Sequence, residues 1–350
     1  MFYSTDATSQ IKEGLLLGLG NPLLDISING DKDFLNKYGL LPNNAIIADK
    51  SHSKLFDDIV QNHNPFYIAG GATQNSIRVA QWLLQKPHAT TFFGGVGDDK
   101  FKSILEEKAR EVGVNVRYDI HPGEKTGVCA AIITGEDRSL VSELGAAQKF
   151  SMKFLENPDN WKFVEAADYF YIGGFLLPVN PKTILKIVKH AAENNKTVAM
   201  NLHATFLCHH FTDPDLGIMQ YIDVLFGNGD EAAEFSKLQG FSATTVEEMA
   251  KMTADLPKVN PSRKRLVVFT QGKLPTYLAQ GGTVSEFPIE PVDSSIIKDT
   301  NGCGDSFVGG FLSQLVQGKP VGDCMRCGSY AAKVVLQHYG CTFPEKPDFK

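Results

Sequence analysis

Short, wholly apolar runs alternate along this chain with segments whose apolar residues recur every three or four positions. The runs Leu15–Leu19, Thr91–Val96, Tyr169–Ile172, Thr197–Asn201, Asp223–Phe226 and Arg265–Thr270 have the length and continuity of strands buried on both faces. Between them, Phe101, Ile104, Leu105, Ala109 and Val112 share one face of a helix over Asp99–Val112, with the Asp98-Asp99 pair as its cap. A second helix starts at Asn180-Pro181, a capping residue followed by one whose φ is already helical, and buries Ile184, Leu185, Val188, Ala191 and Ala192. This alternation predicts right-handed crossovers and an α/β fold, a central mostly parallel sheet with helices on both faces. Residues 25–68 and 120–142 break the rhythm with shorter alternating segments such as Val128–Thr134, the pattern of a half-exposed antiparallel sheet. The chain is therefore expected to divide into a large α/β body (1–24, 69–119 and 143–350) and a small β lid (25–68 and 120–142). Leu256–Arg265, with Pro257, Pro261 and four basic residues, reads as a surface loop.

Several of these strands end in glycine or amide residues: Gly20-Asn21, Gly94-Gly95, Gly173-Gly174, Asn201, Gly227-Asn228 and Gln271-Gly272. In an open parallel sheet, ligands sit beyond the carboxyl ends of the strands, where glycine lets backbone approach closely. The edge that should hold a site is thus the edge the sequence decorates.

Composition narrows the class of ligand. The 350 residues carry 34 basic and 40 acidic side chains, a net charge of -6, which excludes a general electrostatic footprint for nucleic acid. No run approaches the ~18–20 apolar residues of a membrane span, and MFYSTDATSQIKEG has neither the basic nor the apolar region of a leader. Six cysteines are too sparse for a disulfide framework; free thiols are expected, in the cytoplasm and with the nucleus also open. Asn195-Lys196-Thr197 reads as a turn after a helix rather than as a glycosylated site. The only Gly-Lys pairs precede Leu274 and Pro320, so a Walker A loop is absent. Gly18-Leu-Gly20 lacks a third glycine and meets Pro22 where a dinucleotide-binding helix would begin. HRD, DFG, HExxH and GxSxG are missing as well. Cys324-x-x-Cys327 has no second pair, and His209-His210 would point apart on a helix or strand, so neither reads as a metal site.

The most informative segment is Asp299-Thr-Asn-Gly-Cys-Gly-Asp305. Phe307, Val308, Phe311, Leu312, Leu315 and Val316 repeat at helical spacing behind it, so a buried helix starts near Gly302–Asp305. Its first amides lack intrahelical partners and lie at the positive end of the helix dipole, where they can close around a phosphoryl group. Asp305, in the same turn, can take a proton from an attacking hydroxyl. The alternative is a glycine turn with Asp305 as an ordinary first-turn residue.

This segment resembles the DTxGxGD signature of the ribokinase-like (PfkB-type) carbohydrate and nucleoside kinases. Leu19–Ile26 (LGNPLLDI), Ala69–Ile77 (AGGATQNSI), Thr91–Gly94, Gly173–Phe175, Leu225–Asn228, Phe269–Gly272 and the tail Gly340–Asp348 extend the resemblance to the adenosine-kinase branch of that family, nearly end to end. It implies ATP-dependent, Mg²⁺-assisted phosphorylation of the adenosine 5′-hydroxyl, giving AMP and ADP, by a monomer. Asn21 and Asp25 would contact the nucleoside, Asp25 accepting from the ribose hydroxyls as a charge-assisted pair. Gly70 and Gly71 would bring backbone to the ribose, with Asn75 in the opening turn of the next helix. Leu23, Cys129, Leu140 and Phe175 are implied as the apolar purine walls, and are otherwise plain core. The resemblance casts Arg138 as the lid residue that neutralises the transferred phosphoryl. Amides at Gly302, Cys303 and Gly304 would stabilise the same group. Asn228 and Glu231 would order Mg²⁺ and phosphates largely through water, although Asn-x-x-Glu is also a capping box and both readings hold together. Thr270, Gly272 and Asn301 are implied near the ATP.

Two residues depart from the pattern. Ala72 stands where these kinases usually have serine, removing a hydrogen bond near the ribose. Cys303 replaces the usual alanine, and a thiol at a helix N-terminus is expected to have a lowered pKa and to be reactive. The rival readings are a kinase for another nucleoside or a sugar, a nucleoside-binding protein without catalysis, and a nicotinamide oxidoreductase.

Overall fold

In the computed structural model the described residues are 11–42, 44–135 and 137–350; the opening segment through Gln10 lies outside them. The strands run, in chain order, β1 (Leu16–Leu19), β2 (Leu24–Asn29), β3 (Ala45–Ile47), β4 (Phe66–Ala69), β5 (Thr90–Gly97), β6 (Asn115–His121), β7 (Val128–Thr134), β8 (Asp137–Glu143), β9 (Tyr169–Gly173), β10 (Thr197–Asn201), β11 (Val224–Asn228), β12 (Leu266–Gln271), β13 (Leu274–Gln280) and β14 (Thr283–Phe287). A nine-stranded sheet has the order β14-β13-β12-β11-β10-β9-β1-β5-β6. It is parallel from β6 to β12 and turns antiparallel only at the β12-β13-β14 edge.

Strand faces alternate as the sheet requires. Leu17 and Leu19 of β1 join a core with the helices Pro181–Glu193, Gly229–Leu238 and Val246–Ala254, while Leu16 joins Ile77, Phe307, Phe311 and Met325 on the opposite face. The two predicted helices form with their caps as expected. Asp99 accepts from Phe101 N and Lys102 N ahead of the helix Lys100–Glu111. Asn180 accepts from Thr183 N at 3.2 Å ahead of Pro181–Glu193.

The small sheet differs from its expected form. Its order is β3-β8-β7-β2-β4, and it is mixed rather than antiparallel: β2 runs parallel to β7 and β3 parallel to β8. Parallel partners need long crossovers, and here the chain crosses through the large sheet between β2 and β7. Its strands β3, β4 and β8 are part-exposed, but the central β2 and β7 are buried on both faces. Leu24, Ile26, Ile28, Ala130 and Ile132 pack under the helices Lys32–Lys37 and Leu55–Asn62, and the intervening Asp25 and Cys129 face the cavity described below. Ile120 and His121 pair with Val96 and Gly97 in the nine-stranded sheet, not in the small one.

The segment Leu256–Arg265 also departs from a plain surface loop. Arg265 is 1% exposed. Its guanidinium donates to the carbonyls of Met219 (2.6 Å), Leu256 (2.8 Å), Ile222 (3.1 Å), Pro257 (3.1 Å) and Thr253 (3.2 Å). Carbonyls at a helix end and in adjoining turns have no ladder partners, and the planar five-donor fork of arginine satisfies them together. Lys258 turns inward as well, onto the Asp223 carboxylate. Arg265→Met is expected to destabilise the protein by at least ~3 kcal/mol, because buried carbonyls lose their donor. The midpoint of urea unfolding measures this, and a midpoint equal to wild type would show that the network is dispensable.

Candidate active site

The helix Cys303–Leu315 begins at Gly302, which has φ 79, a left-handed conformation open to glycine. A side chain there would also press on Cys341, whose Cβ lies 3.0 Å from the position a Cβ would take. Ser306 N donates to the Gly302 carbonyl at 2.8 Å, closing the first helical turn, and Cys303 N donates to the Thr300 carbonyl at 3.3 Å. The first-turn donors left open by helix geometry are therefore those of Gly304 and Asp305, and both residues line a cavity of about 300 Å³. Asp299 holds the turn from behind. Its Oδ1 accepts from Asn301 N at 2.8 Å and its Oδ2 from Gly340 N at 2.9 Å.

The cavity lies at the carboxyl ends of β1, β9, β10, β11 and β12, under the small sheet. Asp305 is part-exposed to the cavity; desolvation by the surrounding protein pushes its carboxyl up to about 7, against a 3.0 Å hydrogen bond donated by Asn75 Nδ2. Asp25, on β2, is likewise pushed up to about 7, first by burial and then by the nearby Asp305 charge. Asn301 Nδ2 donates to it at 3.5 Å. Gly70 leaves room for that carboxylate, since a Cβ on Gly70 would collide with it. Gly71, at φ 86, caps the helix Ala72–Leu84, which carries Asn75 into the site. Asn21 Nδ2 donates to the Phe175 carbonyl at 3.0 Å, yet Asn21 Oδ1 and Asn75 Oδ1 are buried with no partner among the protein's atoms. Buried polar atoms are rarely left so, and two beside one cavity mark a place where a hydroxyl or amine is received. Leu23, Cys129, Leu140 and Phe175 form its apolar side.

At the other end stand Asn228 and Glu231. They make a full capping box: Glu231 N donates to Asn228 Oδ1, Asn228 N to Glu231 Oε2 and Asn228 Nδ2 to Glu231 Oε1, each at 2.9 Å. Burial pushes Glu231 up to about 7. Thr270, near the end of β12, lines the same end, its hydroxyl donating to the Gly227 carbonyl at 3.5 Å, while Asn301 lines the cavity beside Asp25.

The structure thus brings Asn21, Leu23, Asp25, Gly71, Asn75, Cys129, Leu140, Phe175, Asn228, Glu231, Thr270, Asn301, Gly302, Gly304 and Asp305 to one cavity, with Gly70 directly behind it. Three expected residues are placed otherwise. Gly272 sits at φ 60 in the tight turn between β12 and β13, off the cavity wall. Arg138, on β8, is paired with Asp299 at 2.7 Å and also donates to the Asp137 carbonyl at 3.0 Å, away from the cavity. Cys303 turns toward the Asp299 carbonyl, and its thiol is pushed up to about 12, not lowered. Burial, reinforced by Cys341, Asp299 and Asp305, outweighs the helix dipole, so the thiol holds its proton where the dipole alone would favour the thiolate. Sequence reasoning missed Thr73, His203 and Phe206 as cavity residues. The position of His203 and Phe206 just past β10, at an edge already marked by Asn201, was the available signal.

The geometry has close counterparts. The description "pfkB family carbohydrate kinase" matches residues 32–348. The chain is 46% identical to adenosine kinase 1 of Arabidopsis thaliana over 96% of this chain and 98% of that one. It is 39% identical to the adenosine kinase of Schizosaccharomyces pombe over 94% of this chain and 96% of that one. Among solved structures, Anopheles gambiae adenosine kinase in complex with P1,P4-di(adenosine-5) tetraphosphate superposes with a TM-score of 0.93 at 44% identity, covering 97% of this chain and all (100%) of that one. Schistosoma mansoni adenosine kinase in complex with 2-fluoroadenosine gives 0.92 at 33% identity, covering 96% and 98%.

Asp25, Asp305 and Glu231 share a consequence for stability. Unfolded carboxyls ionise near 4, whereas these keep their protons to about 7 in the folded chain. Their contribution is therefore full below about pH 4 and is lost as pH rises through 7. The ligand-free Tm is expected to fall between pH 5 and pH 8, and Asp305→Asn to raise the Tm at pH 8 and reduce that fall. A Tm for the variant below wild type at pH 8 would contradict the burial of this charge.

Proposed function

The chain belongs to the pfkB family of carbohydrate kinases, and from that membership we propose that its cavity transfers the terminal phosphoryl group of ATP to the 5′-hydroxyl of adenosine. The activity is that of an adenosine kinase, a phosphotransferase with an alcohol acceptor and a ribokinase-like fold, producing AMP and ADP. The observation that carries the assignment of roles is the meeting, in one cavity, of the Asp305 carboxylate, the open amides of Gly304 and Asp305, and a second carboxylate, Asp25, beside an apolar wall.

In this reading the ionised Asp25 accepts from the ribose 2′ and 3′ hydroxyls, with Asn21, Gly70 and Gly71 around the sugar. Leu23, Cys129, Leu140 and Phe175 enclose the base. Asp305 takes the proton of the 5′-hydroxyl as its oxygen attacks the γ-phosphorus; the bond to the β,γ-bridging oxygen breaks and ADP leaves. A carboxyl pushed up to about 7 is a stronger base than an ordinary one, yet is still half ionised at neutral pH. The amides of Gly304 and Asp305 hold the phosphoryl oxygens, with Gly302 and Cys303 shaping the turn through their backbone. Thr270 and Asn301 lie beside ATP, and Gly272 shapes the loop next to it. Arg138 reaches the phosphoryl by exchanging Asp299 for it as the small sheet closes. Closure of this lid over the body also excludes water, which would otherwise consume ATP.

Mg²⁺ would neutralise triphosphate charge. Both Glu231 oxygens already accept from Asn228, and among the described residues no group of three His, Cys, Asp or Glu side chains forms a cage. That donor set fits an ion held through water by Asn228 and Glu231, as suits the reluctance of Mg²⁺ to dehydrate. No helix among the described residues is long and apolar enough to cross a membrane. We place the protein in the cytosol, with the nucleus also open, as a monomer.

ADP release from adenosine, inosine, guanosine and ribose, compared at one concentration, tests the substrate, and adenosine is expected to lead. Asp305→Asn should lower kcat by ~10²–10⁴ while the Kd for adenosine changes little. Turnover at the wild-type rate would remove Asp305 as the base.

A further inference from the structure

His203 stands two residues past the end of β10, and its ring lines the cavity. Its backbone is left-handed, φ 66, one of four non-glycine residues so placed among those described. Asparagine or glycine occupies that conformation with less strain than histidine. The turn is held by His203 N, which donates to Asn201 Oδ1 at 3.1 Å. The ring meets Phe175 edge-on, centroids 5.1 Å apart at 70°. Nε2 lies 3.2 Å from the buried Tyr171 hydroxyl, and Nδ1 is buried with no partner among the protein's atoms. Burial alone shifts the ring, down to about 3, so it is a neutral imidazole, and no carboxylate pairs with it.

A neutral ring against Phe175 would pack equally well without nitrogen at the Nδ1 position, where a buried unpaired atom costs free energy. We propose that His203 is a specificity residue for the nucleoside acceptor: its ring extends the Phe175 wall and its Nδ1 hydrogen-bonds one polar atom of the purine. The inference rests on the reading of the cavity as an adenosine site. It adds a polar contact to a wall otherwise formed by Leu23, Cys129, Leu140 and Phe175. With Tyr171 donating to Nε2, Nδ1 carries the hydrogen and meets a purine ring nitrogen; with the opposite tautomer it meets the exocyclic amino group.

Calorimetric titration of adenosine without ATP, together with KM and kcat for both substrates, tests this on wild type, His203→Ala and His203→Asn. The asparagine amide reaches the Nδ1 position and suits the left-handed backbone, so it serves as the conservative variant and as the safeguard for folding. His203→Ala is expected to weaken adenosine binding about tenfold, with the KM for ATP within twofold, and His203→Asn to restore most of the loss. An adenosine analogue lacking the contacted nitrogen or amino group should bind wild type as weakly as adenosine binds His203→Ala, with no further loss in that variant. Unchanged adenosine binding in His203→Ala, an equal loss for ATP, or an asparagine variant as weak as the alanine one while both stay folded would each overturn the proposal. Wild type that fails to bind or phosphorylate adenosine would instead overturn the reading of the cavity.

Discussion

The site depends on a turn of backbone that must stay rigid while its amides remain unpaired. Unpaired amides at a helix start are ordinarily filled by a capping side chain, but Gly302 has none, and the donors of Gly304 and Asp305 are left for something else. The rigidity is supplied from outside the helix. One carboxylate, Asp299, accepts from Asn301 N, from Gly340 N and from Arg138, so the turn, the C-terminal tail and the small sheet meet at one group. Because this group is only 3% exposed, its bonds compete little with water.

The same enclosure makes the resting molecule less stable than it could be. Asp25 and Asp305 repel each other where burial already disfavours charge, and Glu231 is enclosed at the far end of the cavity. Oxygens of Asn21 and Asn75 add buried acceptors without protein donors. Packing in the two helix layers supports this arrangement: Leu16, Leu17, Phe170, Ile172, Val267 and Val268 lie in strands covered on both faces. A site that holds charge, open amides and unfilled acceptors together needs such a core beneath it.

Much of this was legible in the sequence because it is written in local patterns. Continuous apolar runs marked β1, β5 and β9 to β12, Asn180 and Asp99 marked helix starts, and the glycine and amide residues at strand ends marked the edge where the cavity lies. The family resemblance supplied the residues that face it. What was not legible depends on contacts between distant segments. The parallel pairing of β2 with β7 follows from a crossover through the other sheet, which alternation within Val128–Thr134 does not disclose. Arg265 looks like one more loop cation until the carbonyls of Met219, Ile222, Thr253, Leu256 and Pro257 gather around it. Cys303 departs from its expected lowered pKa because the dipole is a local feature while the approach of Cys341 and Asp299 is not.

Arg138 shows how that distinction bears on function. The resemblance casts it as a lid residue aimed at the phosphoryl; in the fold its side chain is 9% exposed and bound to an Asp299 side chain that is 4% exposed. Burying both charges costs solvation that their attraction only partly returns, so such a pair contributes more to specifying an arrangement than to stability. Here it ties strand β8 of the small sheet to the turn that presents the open amides. In the proposed reaction, a phosphoryl group at those amides would bring oxygens that compete with Asp299 for the same guanidinium, in the same low-dielectric surroundings. Under that proposal, placing the small sheet over the cavity and completing the positive cradle would be one movement, because one arginine belongs to both.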